Sequence, residues 1–208
     1  MVDLLRRSAL HHRFPITNQE KNLLLEERKF LSKLILRGAH DVVKAGAEKA
    51  LGIGLPKSSP HTARGDAVDV LWMSPDEWLI VGEADTELTT ATALEDALAG
   101  KHHQVTDVTD YYTVLSLQGG AARAVLMKLT MLDVHKRAFK AGEVRGTMLM
   151  HTQATLFQRL DDDAEGGPVF DIFVRWSMAD YLWCLIAECG VEFGLPAQKP
   201  ITGERLVI

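Results

Sequence analysis

Two periods run through this chain. Alternation of apolar and polar positions predicts a strand over Phe30–Arg37, with Leu34 and Leu36 on one face. A 3.6-residue period takes over at Asp41–Leu51, where Val43, Ala47, Ala50 and Leu51 share a stripe and Gly52 stops the helix. Val68–Met73 and Trp78–Val81 read as a hairpin around Ser74-Pro75-Asp76-Glu77, a run of turn formers. Thr86–Ala99 predicts a helix with Leu88, Ala91, Leu94 and Leu98 inward and Gly100 at its end. Val105–Leu117 predicts strand, broken near Asp110, and Ala121–Leu129 a helix. Val144–Met150 and Thr155–Leu160 make a second hairpin. Phe170, Ile172 and Val174 alternate with Asp171 and Arg175, the pattern of a half-buried strand. Ser177–Glu188 predicts the last helix, with Ser177 and Asp180 in the form of a capping box.

An internal repeat organises these elements. LILRGAHDVVKAGAEKAL from Leu34 and LSLQGGAARAVLMKLTML from Leu115 are each a strand, a polar residue, glycine, then an Ala-rich helix. Each is followed by a hairpin and a further helix, a β-α-β-β-α unit. The expected fold is α+β: two pseudo-repeated units with antiparallel sheets and helices on one side of each. The domain would cover residues 30–191, in halves of about 30–104 and 105–191. Residues 1–29, charged and without sustained period, read as a loosely structured arm, and 192–208 as a tail laid over the surface. Residues 55–66 and 161–168 read as loops.

The glycine pair in SLQGGAARAVL raises the question of phosphate binding. A P-loop needs GxxxxGK[ST], whereas Gly119-Gly120 are followed by Ala-Ala-Arg. GIGLPK at Gly52 lacks the third glycine of a dinucleotide turn, and Pro56 stands where its helix should run. Gly38 and Gly119 therefore read as structural, letting the chain pass from strand to helix at close quarters.

Composition narrows the function classes. With 208 residues and 47% hydrophobic content the chain can bury a substantial core. A net charge of −5 argues against a nucleic-acid binder, and no apolar run reaches the roughly 20 residues that cross a bilayer. Leu4-Leu5 is too short an apolar core for a signal peptide. Cys184 and Cys189 lie about 140° apart on one helix, which disfavours a disulfide between them. A reduced, cytoplasmic setting is the expectation. The eight histidines form no HExxH and no zinc spacing, no GxSxG is present, and Asp161-Asp162-Asp163 lacks the alternation of a calcium loop. No catalytic or metal-ligating set is assigned. Asp133, His135 and Arg137 in LDVHKRAF alternate after a helix and would share one face if extended, as a salt-bridge cluster or as a functional face. The last helix, SMADYLWCLIAECG, has almost no polar side, so either the tail or a second polypeptide covers it.

Several ordered blocks carry a resemblance. SPDEWLIVG, VTDVTDYYTVLSLQGGAARAVLMKLTMLDVHKRAFKAG and FDIFVRWSMADYLWCLI resemble the gamma-subunit family of heterotetrameric sarcosine oxidases and, at greater distance, the glycine-cleavage aminomethyltransferases. The resemblance runs from about Ser8 to Ile186. It rests on Asp76-Glu77-Trp78, Asp107-Val108-Thr109, Gly119, the set Leu132, Asp133, His135, Arg137 and Phe139, and the set Arg175, Ser177, Asp180 and Tyr181. It implies the tetrahydrofolate-binding-domain fold of the aminomethyltransferases. It also implies a complex that oxidatively demethylates sarcosine or a related N-methyl amino acid, gives the one-carbon unit to tetrahydrofolate and reduces oxygen to peroxide. FAD, FMN and NAD would sit on alpha and beta subunits and zinc on a delta subunit, with none of these cofactors on this chain. The chain would meet the alpha subunit most directly. The expected contact surface combines Met178, Tyr181, Trp183 and Ile186 of the last helix with Asp133, His135, Arg137 and Phe139. Two alternatives are a free-standing folate-binding or aminomethyltransferase-like protein and an unrelated adaptor. The Lys-Gly-Cys-Tyr-x-Gly-Gln block of the iron-sulfur-linked folate binders has no counterpart in LDVHKRAFKAGEVRG.

Overall fold

A computed structural model describes residues 6–20 and 22–200. In chain order its elements are β1 (Ile16–Thr17), β2 (Leu23–Glu27), β3 (Ser32–Arg37), α1 (His40–Leu51), β4 (Thr62–Arg64), β5 (Val68–Ser74), β6 (Glu77–Gly82), α2 (Glu87–Ala97), β7 (Gln104–Asp107), β8 (Tyr112–Gly119), α3 (Ala122–Met127), β9 (Val144–Leu149), β10 (Thr152–Leu160), β11 (Val169–Arg175) and α4 (Ala179–Gly190). One sheet has the order β4-β5-β6-β3-β7 and the other β1-β2-β8-β11-β10-β9, with every pairing between neighbouring strands antiparallel.

The strand period sorts side chains into three apolar layers. Leu34, Leu36, Val70, Trp78 and Ile80 point away from the other sheet and pack under α1 and α2 with Val43, Ala47, Leu94 and Leu98. Leu115, Leu117, Leu156, Phe170 and Ile172 do the same under α3 and α4 with Val125, Leu126, Leu182 and Trp183. The opposite faces of the two sheets meet each other through Leu71, Leu79, Val81, Val114, Phe157 and Phe173. The architecture is thus helices, sheet, sheet, helices. Helices lie on one side of each antiparallel sheet, and the two remaining sheet faces cover one another.

That inner layer corrects several expectations. Alternation puts Asp171 on the wet face of a half-buried strand, yet it is fully buried, as is Phe173 beside it, because the sheet of β3–β7 covers that face. Leu88 is exposed rather than inward, since the core-facing stripe of α2 runs through Leu94 and on to Leu98. The first strand starts at Ser32, not Phe30, because Phe30 turns the chain with φ +60°. Ser177 caps nothing: Trp176–Met178 is a short 3-10 turn ahead of α4, and no side chain caps either element.

The repeat is real, but its boundaries shift. The predicted break near Asp110 separates β7 from β8, and these strands belong to different sheets. The halves therefore divide in the turn at 108–111 rather than at 104/105. Superposing the sheet orders pairs β4-β5-β6-β3-β7 with β9-β10-β11-β8-β2. The hairpin β5–β6 therefore corresponds to β10–β11, not to β9–β10. The place that β7 holds in the first sheet is taken in the second by β2, which comes from the opposite end of the chain.

The segment expected to be a loose arm is for this reason part of the fold. β2 pairs with β8 from Leu23↔Gly119 to Glu27↔Leu115, and Leu10, Leu23 and Leu25 are fully buried. Glu26 and Glu27 obscure the strand in the sequence, and Glu27 is bound by the segment just before it, accepting from Ser8 Oγ at 2.6 Å and from the Leu10 amide at 3.2 Å. Residues 1–5, 21 and 201–208 of the expected arm and tail lie outside the described residues. Leu195 of the tail is buried against Gly190.

Gly119 is where this pairing is closest. Its φ is +122°, and a Cβ there would stand 1.9 Å from the Asn22 carbonyl oxygen. Gly119→Ala should lower stability by about 3 kcal/mol or more through combined clash and backbone strain. Gly120→Ala, with nothing within 4 Å of its Cβ, should change stability by under about 1 kcal/mol. Urea denaturation of both variants checks the contrast.

Candidate functional site

The cation that follows the glycine pair is bound within the chain. Arg123, at the start of α3, is buried, and its guanidinium donates to Asp162 Oδ1 at 2.7 Å through Nε and to Gln158 Oε1 at 3.1 Å through Nη2. It also binds the Val134 carbonyl and Asp162 Oδ2, and lies 5.1 Å from the Phe170 ring centre. The Arg123 hydrogen bonds hold the Asp162 carboxyl below the usual carboxylate range. Arg123 thereby fastens the acidic 161–168 turn and the loop after α3 to the sheet, which is architecture rather than phosphate binding.

A second ionic cluster sits between the sheets. Asp171 Oδ2 accepts from Arg28 at 2.5 Å and from Arg159 at 3.1 Å. Its Oδ1 and the hydroxyl of Ser116, its cross-strand neighbour, have no hydrogen-bond partner among the described residues. Arg28 and Arg159 open onto a cleft of about 190 Å³ that also holds Arg64, Asp66, Asp69 and Glu83. Arg64 is itself held by Asp69 at 3.3 Å and by the Arg159 carbonyl at 2.9 Å. Arg28, Arg159 and Arg64 are each held by an aspartate, and Asp66 and Glu83 add negative charge, so the cleft ties the sheets rather than presenting a single-sign ligand site. Lys33 is buried in the same inter-sheet region and donates to the Leu31 carbonyl. Burial pushes its ammonium down to about 8, against the opposing pull of Asp110.

The residues nominated from sequence fall in different environments. Trp183 (1% exposed), Ile186 and Phe139 are core residues, not surface anchors. The all-round apolarity of α4 is met within the chain, by the sheet beneath it and by Leu10, α3 and Leu195. Met178 and Tyr181 keep part of their surface open. Arg13 links the helix to the segment that follows it, donating to Asp180 Oδ1 at 2.8 Å and to the Lys199 carbonyl at 2.8 Å. Asp180, assigned from sequence to a capping box, receives this bond and one with His12 at 3.0 Å. Asp133, His135 and Arg137 are exposed but not on an extended face. Asp133 accepts the His135 amide at 2.9 Å and the His135 carbonyl accepts the Phe139 amide at 3.0 Å, which folds the segment into turns around buried Val134 and Phe139. Both cysteines are free, and burial pushes both thiols up, away from nucleophilic thiolates. Among the described residues no group of His, Cys, Asp and Glu is placed to hold a metal ion. No helix among them is long and apolar enough to cross a membrane.

The blocks that stand out in the sequence have structural roles. Trp78 is fully buried and donates to the Pro56 carbonyl at 2.8 Å, while the Asp76 carbonyl accepts the Gly38 amide at 3.0 Å. Asp107 accepts the Thr109 amide at 2.8 Å, and Thr109 Oγ1 accepts the Lys33 amide at 3.0 Å, fixing the turn between the sheets. Sequence reasoning missed the surface beside that turn. Tyr111 and Trp176 are 46% and 55% exposed. Their signal was aromatic residues at strand ends, where the alternation should already have turned polar.

The comparisons agree with this architecture. The model of the sarcosine oxidase, gamma subunit family matches residues 37–192. The chain is 32% identical over 159 residues to the sarcosine oxidase subunit gamma of an Arthrobacter species, covering 74% of this chain and 77% of that one. A chain of the heterotetrameric sarcosine oxidase from Corynebacterium sp. U-96, solved in complex with pyrrole 2-carboxylate, superposes with a TM-score of 0.81 at 26% identity, covering 94% of this chain and 99% of that one. Aminomethyltransferase T of the glycine cleavage system from Bartonella henselae shares the fold, with a TM-score of 0.58 at 17% identity, and the chain spans 47% of its length.

Two outcomes follow from the buried cations. Arg123→Met should destabilise by about 2–4 kcal/mol near neutral pH. Asp162 has a depressed folded pKa, so its share of stability is present above the unfolded carboxylate value and lost as pH falls through the folded one. The gap between variant and wild type should narrow below about pH 4; melting curves from pH 3 to 7 check this. For Lys33 the folded pKa lies below the unfolded one, so the unfolded chain holds more protons between the two and stability rises with pH there. Lys33→Met should be more stable at pH 7 by about 1–3 kcal/mol, with the advantage shrinking toward pH 10. Equal gains at both pH values would show that desolvation of the ammonium is not the cause.

Proposed function

The chain belongs to the sarcosine oxidase gamma subunit family, and from that premise we propose that it is a non-catalytic subunit of a heterotetrameric, flavin-dependent sarcosine oxidase-like complex. The observation that carries the reading is the match along nearly the whole of both chains to a chain of the Corynebacterium enzyme. In this reading the complex oxidatively demethylates sarcosine or a related N-methyl amino acid in the cytoplasm, with tetrahydrofolate as one-carbon acceptor. Alpha, beta and delta partners carry FAD, FMN, NAD and zinc. The architecture supports a scaffolding role for this chain. Residues that would draw attention as catalytic, including Arg123, Asp171, Asp180 and Cys184, are tied to one another, to neighbouring backbone or into the core. The exposed Asp133, His135 and Arg137, with the open parts of Met178 and Tyr181, remain available as a polar rim for the alpha subunit.

A free-standing aminomethyltransferase is the weaker reading, because the chain spans only about a third of the curated aminomethyltransferases it matches (34% of the Saccharopolyspora erythraea protein). Affinity purification of the tagged chain from its native cell discriminates between the two. We expect large flavin-containing subunits and a small fourth subunit to co-purify, and the purified complex to form peroxide from sarcosine while the isolated chain, supplied with free flavin, forms none. Recovery of the chain alone, or sarcosine-dependent peroxide from the isolated chain, would overturn the proposal.

A further inference from the structure

The inter-sheet face of the second sheet runs out past the first sheet at one end. Register places Tyr112 opposite Arg175 and Gln153 opposite Met148. Val174 pairs with Ala154, so Arg175 and Gln153 stand side by side one position further on. The strand period fixes the facing of this row. Phe173, Phe157, Val144 and Val114 lie in the inter-sheet layer, so Arg175, Gln153, Met148 and Tyr112, at even spacings from them, face the same way. Instead of meeting sheet, Tyr112, Arg175 and Gln153 border a cavity of about 230 Å³ that is also lined by Met73 and Glu77 of the β5–β6 hairpin.

This end combines aromatic surface with an unneutralised cation. Tyr111, Trp176 and Met148 are 46%, 55% and 51% exposed. The Trp176 amide donates to the Tyr111 carbonyl at 2.9 Å, and the Tyr111 and Tyr112 rings meet edge to face at 4.7 Å. The Arg175 guanidinium lies 5.6 Å from the Tyr111 ring centre and meets no carboxylate among the described residues. The nearby Glu77 is already engaged with Arg37 at 3.3 Å. The platform is stiff, because the Tyr111 and Tyr112 amides both bind the Val108 carbonyl. Tyr, Trp, Met and Arg are the residue types enriched at protein interfaces, and aromatic residues held in place lose little entropy on binding.

We propose that the strand-end shelf formed by Tyr111, Arg175, Trp176, Gln153 and Met148 is the main docking site for a partner subunit, which inserts an acidic side chain against Arg175. The proposal rests on the subunit reading above and names a surface that the sequence did not nominate. Charge complementarity chooses the occupant: a guanidinium that lies over an aromatic ring and has no carboxylate partner among the described residues selects a carboxylate within an apolar surround.

The test uses the co-expressed complex with the tag on a partner subunit. Arg175→Glu combined with Trp176→Ser should reduce the recovery of this chain at least tenfold. Both residues are exposed, so the isolated variant should melt within about 2 °C of wild type. Arg175→Glu should weaken assembly more than Arg175→Gln, since only the former repels a carboxylate. If wild type itself fails to co-purify, the subunit reading fails. If wild type assembles and the double variant does so undiminished, this inference fails alone. Equal losses for the Glu and Gln variants would overturn the acidic occupant. A wild-type chain that self-associates in sedimentation through this surface, with a monomeric double variant, would replace the partner subunit with a second copy.

Discussion

Face-to-face packing of the two sheets is the constraint on which the other features depend. Each sheet carries helices on its outer side, so a strand near the centre has no face left for water. Leu71, Leu79, Val114, Phe157 and Phe173 fill the layer between them, and burial of such side chains is worth roughly 1.5–3 kcal/mol each. The same layer forces polar residues to find partners inside the protein. Asp171 is clamped by Arg28 and Arg159, and Lys33 reaches its own Leu31 carbonyl with a weakened hold on its proton. These groups are candidates for chemistry in a list of buried ionisable residues. In place, they are what a two-sided sheet requires of any charge that enters it.

The repeat meets a second requirement, closure of the sheet edge. In the first half β7 covers the outer side of β3. Among the described residues no strand follows α4 in the second half, and β2 covers β8 from the N-terminal side of the repeat. This arrangement explains the glycine at position 119, which has the Asn22 carbonyl where a side chain would stand. With β2 in the sheet, the segment before it reaches the last helix, where Arg13 bridges Asp180 of α4 and the Lys199 carbonyl.

Such a fold places its most regular sequence blocks in its interior. Trp78, Thr109, Phe139 and Trp183 are buried, and Gly119 and Asp180 hold chain segments together. Surface available to another molecule is left where strands run out, because there the alternation continues past the end of the covering sheet. Arg175 and Met148 are in that position, with Tyr111 and Trp176 just beyond the strand ends. The recognisable motifs of such a chain therefore report its fold more than any contact surface.

Local pattern determined a good deal about this protein. Residues 40–51 form a helix that Gly52 ends with φ +73°, the β5–β6 hairpin turns where proline and acidic residues predicted, and the break near Asp110 is present. These features depend on neighbours in sequence, which is why periodicity and turn chemistry found them. The doubled unit was legible for the same reason, and the resemblance in its blocks pointed to the family that the chain belongs to. What only the tertiary structure decided was which faces are covered. Asp171 reads as a wet position until a second sheet lies over it, and Trp183 as an interface anchor until Leu10 and Leu195 close around its helix. The strand at 23–27 is hidden by its charges, and the strand that it pairs with lies some ninety residues further on. Trp176 reads as one more apolar residue before a helix, yet stays 55% exposed in the tertiary structure. Burial is a relation between segments far apart in sequence, so no window along the chain contains it.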